Sequence, residues 1–212
     1  MIKTRNKKMI KLHHLNKSRS KRIIWLLEEL GVDYSIIAYQ RDSQTFLAPP
    51  ELKAIHPLGK SPVIEDDDLV IAESGAITEY LINKYADGTL APEKGTRDEI
   101  EYSQWMHFAE SSAILPLLLK MFVNKDGCET NFLGDYADAE TFKVISYFND
   151  SLASKRYLVA DKLTGADIMM SFIVELVANS GQLANFPHLE TYAKQLATHS
   201  AFHKAESIEL SH

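Results

Sequence analysis

The stretch 60–77, KSPVIEDDDLVIAESGAI, sets an acid and a hydroxyl side by side at the mouth of a helix. Ser74 is a good N-cap residue, and the helix it opens offers unpaired N–H groups and a partial positive charge to an anion. Glu73 beside it can hold an ammonium. The pair suits a ligand with an α-amino-acid head and a peptide-like body; the plainer reading is a simple cap and a solvated carboxylate. Ser61-Pro62 opens the strand before it. Proline cannot donate to a ladder, so it stands at a strand's first residue or on an edge. A cis Ser61–Pro62 bond would leave the Ser61 N–H and C=O to pair with an extended peptide as an added strand does; a trans bond makes it an ordinary edge proline.

A third group lies in 12–22, LHHLNKSRSKR, where Ser18 and Ser20 stand at the mouth of another helix. A serine there can donate to an anion alongside the helix N–H groups, or it can only cap. Arg19 and Arg22 either raise the local positive potential or are solvated. His14 can serve as a base, although a histidine on a strand is more often packed. The doublet His13-His14 points its side chains to opposite faces of a strand and implies no metal.

The elements that must position these groups alternate in the first half. Strands are expected over 10–15 and 34–39, and a helix over 20–30 with Gly31 as its C-cap signal. A helix from Pro50 to Ile55, the hairpin, and a helix over 74–85 follow, giving β-α-β-α-β-β-α. A right-handed crossover makes the first two strands parallel, and the hairpin makes the sheet mixed. Residues 86–96, with two glycines and a proline, form the linker. Beyond it the spacing is helical: 97–123 with a kink at Pro116, then 138–154, 165–179 and 188–198. No strand, repeat or low-complexity segment is expected there.

Acidic residues outnumber basic ones, 29 to 23, for a formal charge of −6, which argues against a nucleic-acid binder. The first 22 residues are the exception, with Lys3, Arg5, Lys7, Lys8 and Lys11 among a basic cluster. One cysteine, Cys128, excludes an intrachain disulfide and fits a reducing compartment; its polar loop shows no activating neighbour. No apolar run approaches the ~20 residues needed to span a bilayer, and Met1 to Met9 lacks the apolar core of a signal peptide. The cytoplasm is the default, with either Met1 or Met9 as the first residue.

Ser61-Pro62-Val63-Ile64, Glu73-Ser74-Gly75-Ala76-Ile77 and the capping-box tetrad Thr164-Gly165-Ala166-Asp167 together resemble the glutathione transferases, over nearly the whole chain. The resemblance implies an α/β plus all-α fold. A thioredoxin-like glutathione-binding domain with a mixed four-stranded sheet would cover 9–86, and an all-helical domain contributing the electrophile pocket would cover 97–212. It implies that the Ser61 backbone, before cis Pro62, pairs with the cysteinyl part of glutathione, that Glu73 and Ser74 hold the γ-glutamyl head, and that Lys60 meets the glycyl carboxylate. Tyrosine-type relatives place their tyrosine where His14 stands. Serine-type relatives place the hydroxyl four residues later, at Ser18, which then stabilises the thiolate; Ser20 and Asn16 are the alternatives.

The implied activity is conjugation of glutathione, as co-substrate, to small apolar electrophiles, or their reduction with it, in a cytoplasmic homodimer serving detoxification. No metal, nucleic acid or membrane is implied. His107, Glu110, Ser111, Leu115 and Leu119, with Phe108 or Phe122 nearby, are the candidates for the acceptor side. The rival is a non-catalytic protein-interaction module that kept the fold, since fold alone does not give function. A disulfide reductase would want a cysteine at the first helix, where Ser18 and Ser20 stand.

Overall fold

A computed structural model describes residues 9–212; Lys3, Arg5, Lys7 and Lys8 of the basic start lie outside the described residues. β1 (Ile10–Leu15) leads into α1 (Ser20–Leu30). The α1 stripe Ile23, Ile24, Leu26 and Leu27 is fully buried. The helix ends at Gly31, whose φ of 60° is the left-handed conformation that glycine adopts without a Cβ clash. β2 (Tyr34–Tyr39) pairs parallel with β1. A single turn, α2 (Leu52–Ile55), follows Pro49-Pro50, then β3 (Val63–Asp66), β4 (Leu69–Ala72) and α3 (Ser74–Tyr85). The strand order is β2-β1-β3-β4, with β3 antiparallel to both neighbours. This is the mixed four-stranded, thioredoxin-like sheet.

Register decides what the sheet presents at its end. His13 pairs with Val63, and Val63 with Ala72, so the three form one row across β1, β3 and β4. Chain direction then carries Ser18, Ser61 and Glu73-Ser74 past that row at the same end of the sheet. The hairpin is locked to α3 by Asp66, which is buried and accepts from Tyr80 Oη at 2.9 Å, Lys84 Nζ at 2.8 Å and Tyr85 Oη at 2.6 Å. Burial opposes its ionisation, yet these three donors hold the carboxyl below its ordinary range.

The chain divides into two compact units: residues through Asp87 with Ser200–His212, and Gly88–His199. Their first boundary falls inside the expected linker. The second unit contains α4 (Arg97–Glu110), α5 (Ile114–Asp126), α6 (Leu133–Ser151), α7 (Gly165–Asn179) and α8 (Pro187–Leu196). The expected helix over 97–123 is thus two helices, broken at Ser111–Ala113 rather than kinked at Pro116. Proline lacks an N–H and clashes with the carbonyl four residues back, so it is accommodated in the first turn of α5, where no N–H is required. By length and composition, Arg97–Asp126 is the one stretch among the described residues that is apolar enough to cross a membrane, contrary to the sequence reading. In the fold it is these two helices, with Tyr102, Trp105, Met106 and Ala109 of α4 buried. α6 also starts earlier than the periodicity indicates.

Periodicity marks no element after Thr198, yet α9 (Ser200–Ser211) is there, in the same unit as the sheet, and packs on α1. Phe202 meets Trp25 edge-on at 5.1 Å between centroids, Glu206 lies 3.3 Å from Lys21 Nζ, and Lys204 lies 2.6 Å from Glu28. The helix buries only Ala205 completely, too narrow a stripe to register as periodic.

The tetrad 164–167 does close a capping box. Fully buried Asp167 accepts from Thr164 N–H at 2.8 Å, Thr164 Oγ1 at 2.9 Å, Leu158 N–H at 2.9 Å and Tyr192 Oη at 2.8 Å. Replacing it by alanine strands several buried donors at once. Asp167→Ala is expected to lower the unfolding free energy by about 3 kcal/mol or more, read from the urea midpoint of the purified variant; a loss under about 1 kcal/mol would contradict this account.

Candidate functional site at one end of the sheet

Two hydrogen-bonded staples hold the groups at the sheet end. Ser61 Oγ donates to the His13 carbonyl at 2.8 Å and accepts from Leu15 N–H at 3.0 Å. Its side chain therefore bolts the start of β3 to the end of β1. The Ser61–Pro62 bond is cis, as expected, and among the described residues no hydrogen bond takes up the Ser61 backbone N–H or carbonyl. The second staple joins α1 to α3: buried Arg22 donates through Nη2 to Ser74 Oγ, itself buried.

The helix mouth differs from the sequence reading in one respect. Ser74 is not the cap but the first residue of α3, and Glu73 occupies the cap position with φ 66° and ψ 113°. Left-handed backbone in a glutamate costs about 1–3 kcal/mol and persists only where the surroundings enforce it. The cost places an exposed carboxylate at the entrance to α3. Ser74 keeps its O–H for donation while Arg22 occupies an oxygen lone pair. What the sequence reading missed is the Arg22 bond to Ser74; an arginine on the apolar stripe of α1 signals a buried task. Lys60 is exposed, beside the cis bond.

At the β1–α1 turn the three alternatives separate. Ser20 is fully buried and its hydroxyl lies 3.0 Å from His14 Nδ1. Asn16 accepts the Arg41 N–H on its side-chain oxygen at 2.8 Å. Ser18 is 8% exposed, and its Oγ accepts the Ser20 N–H at 3.1 Å. Its oxygen thus takes up the first N–H of α1, while its proton can still be donated. His13 and His14 do face opposite sides. His13 bridges Tyr39 Oη and Glu65 Oε1, each at 2.9 Å, and His14 is sealed on the α1 side. No cluster of metal-ligating residues occurs among the described residues. Cys128 is exposed, and Asp126 raises its thiol pKa, the reverse of activation.

In the helical unit, an open cavity of about 850 Å³ is lined by Trp105, His107, Phe108, Ser111 and Tyr147, among others. It gathers His107, Phe108 and Ser111 of the acceptor-side candidates. Glu110, Leu115, Leu119 and Phe122 are not in its wall; Leu115 and Phe122 are largely exposed.

Two family models match, the glutathione S-transferase N-terminal domain over residues 7–83 and the C-terminal domain over 112–199. The chain is 37% identical over 178 residues to glutathione S-transferase 3 of Schizosaccharomyces pombe, covering 77% of this chain and 72% of the relative. A glutathione S-transferase structure from Actinobacillus pleuropneumoniae superposes with a TM-score of 0.87 at 37% identity, over 95% of this chain and 93% of the other. Ure2p5 of Phanerochaete chrysosporium, cocrystallised with 1-(S-glutathionyl)-2,4-dinitrobenzene, shares the fold with a TM-score of 0.79 at 22% identity, over 96% of each chain.

Two measurements test this geometry. Burial pushes the His14 pKa down to about 4 from 6.5, with His212 adding a repulsive contribution. A histidine lowered on folding contributes stability that is complete above the unfolded pKa and is lost as pH falls through the folded one. Wild type is therefore expected to lose about 3 kcal/mol between pH 6.5 and 4 from this group, a slope that His14→Gln removes from the pH series of urea midpoints. At the helix mouth, Glu73→Gly is expected to be more stable than Glu73→Ala by about 1 kcal/mol, because only glycine accepts φ 66° freely. Both should weaken glutathione binding by about 1.5–3 kcal/mol; unchanged calorimetric affinity in both would make Glu73 a surface residue.

Proposed function

Since the chain belongs to the glutathione S-transferase family, we propose that this glutathione transferase binds the tripeptide across the sheet end and holds its sulfur as a thiolate against Ser18. The observation that carries the reading is the shared row His13–Val63–Ala72, which sends Ser18, Ser61 and Glu73-Ser74 to one end of the sheet. The cysteinyl backbone pairs with the Ser61 N–H and carbonyl. The γ-glutamyl carboxylate meets Ser74 and the N–H groups of α3, with Arg22 behind Ser74 adding positive potential, and Glu73 takes the ammonium. Lys60 reaches the glycyl carboxylate.

An unperturbed thiol, with a pKa near 8.5, is only a few per cent ionised at neutral pH. The Ser18 hydroxyl at the start of α1 lowers it by donating to sulfur. The thiolate then attacks an apolar electrophile. With a halodinitrobenzene the new C–S bond forms, the carbon–halogen bond breaks with its electron pair leaving as halide, and the thiol proton passes to water. The conjugate crystallised with Ure2p5 supports this electrophile class. His107, Phe108 and Ser111 are candidates for contacting it. A homodimer is supported by Leu69 and Val70, both about half exposed on edge strand β4. A reducing cytoplasm suits the one exposed thiol, Cys128. The rival, a non-catalytic module, draws no support from a relative at 37% identity bearing a transferase name.

Ser18→Ala is the decisive variant. It should raise the bound thiol pKa by roughly one to two units and lower stability by about 1 kcal/mol through loss of the Ser20 N–H acceptor. Glutathione affinity should hold, since the peptide contacts lie on other elements. Ultraviolet titration of the thiolate in the bound complex reads the shift; superimposable curves would leave Ser18 as a cap alone.

A further inference from the structure

The β1–α1 turn that carries Ser18 is held by the far end of the chain. Lys17, the residue before Ser18, adopts φ 53° just past the end of β1. Its N–H donates to Glu209 Oε1 of α9 at 2.8 Å. The other carboxylate oxygen, Oε2, lies 3.3 Å from His14 Nε2, and His14 Nδ1 lies 3.0 Å from Ser20 Oγ. Ser20 N–H in turn donates to Ser18 Oγ. The carboxylate thus grips the turn at Lys17, while its second oxygen lies beside His14 without a hydrogen bond to it. Glu209 is itself only 14% exposed.

His14 is neutral near pH 7, so its contact with Glu209 is not an ion pair. On its other side His14 shares a hydrogen bond with the Ser20 hydroxyl through Nδ1. The titratable neighbours include His212, just past α9, with its ring 6.2 Å from His14, and the pair Lys21–Glu206. Lys204–Glu28 and the Trp25–Phe202 contact dock the rest of α9 along α1, so the carboxylate is presented from a fixed helix rather than a loose tail.

We propose that Glu209 is a positioning residue for catalysis: it fixes the Lys17 turn so that the Ser18 hydroxyl points at the glutathione sulfur. This rests on the reading of Ser18 as the thiolate's donor. An O–H···S bond loses strength steeply as its angle opens, and turn residues in left-handed backbone relax when their anchor goes. Glu209 therefore acts on the reaction through Ser18 and not through binding.

The test is a cycle of full-length variants: Ser18→Ala, Glu209→Ala, Glu209→Gln and Ser18→Ala/Glu209→Ala. Each is titrated for the thiolate absorbance of bound glutathione and assayed for kcat and KM with glutathione and a halodinitrobenzene. Glu209→Ala is expected to raise the thiol pKa by about half to one unit and to lower kcat about three- to tenfold with the KM for glutathione within about twofold. Glu209→Gln, whose amide oxygen still accepts from Lys17, should regain most of the loss. The double variant should match Ser18→Ala alone. If Ser18→Ala moves the titration while Glu209→Ala does not, or if the two effects add, the positioning role of Glu209 is overturned and the Ser18 reading stands. If Ser18→Ala leaves the titration unmoved, both fall. A Glu209→Ala variant that melts lower but titrates as wild type counts against the proposal, since a purely structural tether would behave in that way.

Discussion

The antiparallel register of β3 between β1 and β4 is the constraint on which the site depends. Three segments distant in sequence each leave the sheet at one end because His13, Val63 and Ala72 share a row. A slip of one residue would move Ser61 by about 3.3 Å along the strand and turn its side chain to the other face. The Ser61 hydroxyl guards against that slip. It donates to His13 and accepts from Leu15, a double contact that exists in one register only. Because the side chain makes this bond, the backbone of the same residue stays available for an extended peptide. The fold thereby uses the side chain of this serine and leaves its backbone without a hydrogen bond among the described residues.

The helix mouth shows a similar division. Glu73 takes the unfavourable φ and Ser74 enters the helix, so the acid stands outside while the hydroxyl is buried beside Arg22. A buried guanidinium without ligands nearby would be expensive. Next to Ser74 and the N-terminus of α3, it instead adds to a positive region where a carboxylate gains most and where water competes least. The same burial logic works in the opposite direction at His14. Its desolvation keeps it uncharged beside the Ser20 hydroxyl.

Much of this was legible in local patterns. The hairpin, the strand-start proline, Gly31 and the box at Thr164–Asp167 are each decided by a few adjacent residues whose backbone preferences are strong. Features decided by distant contacts were not legible. Ser74 reads as a cap because serine prefers that position, and only the strained Glu73, held by the surrounding fold, shifts the helix start by one residue. The break before Pro116 depends on where the first turn of α5 can absorb a missing N–H. Arg22 reads either as a solvated charge or as a source of positive potential until α3 packs over it, and its bond to Ser74 was not legible at all. α9 escaped because its contacts with α1 are one aromatic edge, a small buried alanine and ion pairs, none of which makes an apolar stripe.

That last omission bears on how the site is held together. A β1–α1 turn with a positive-φ residue has few apolar contacts of its own, and such turns belong to the least stable part of a fold. Within the turn Ser18 accepts from the Ser20 and Lys21 N–H groups, but the Lys17 N–H points to α9 instead. An acceptor must come from elsewhere, and a helix already fixed along α1 by Phe202, Lys204 and Glu206 supplies one with little further loss of freedom. The turn that carries Ser18 is thereby tied to α1 through a helix that packs along it, at the Lys17 N–H.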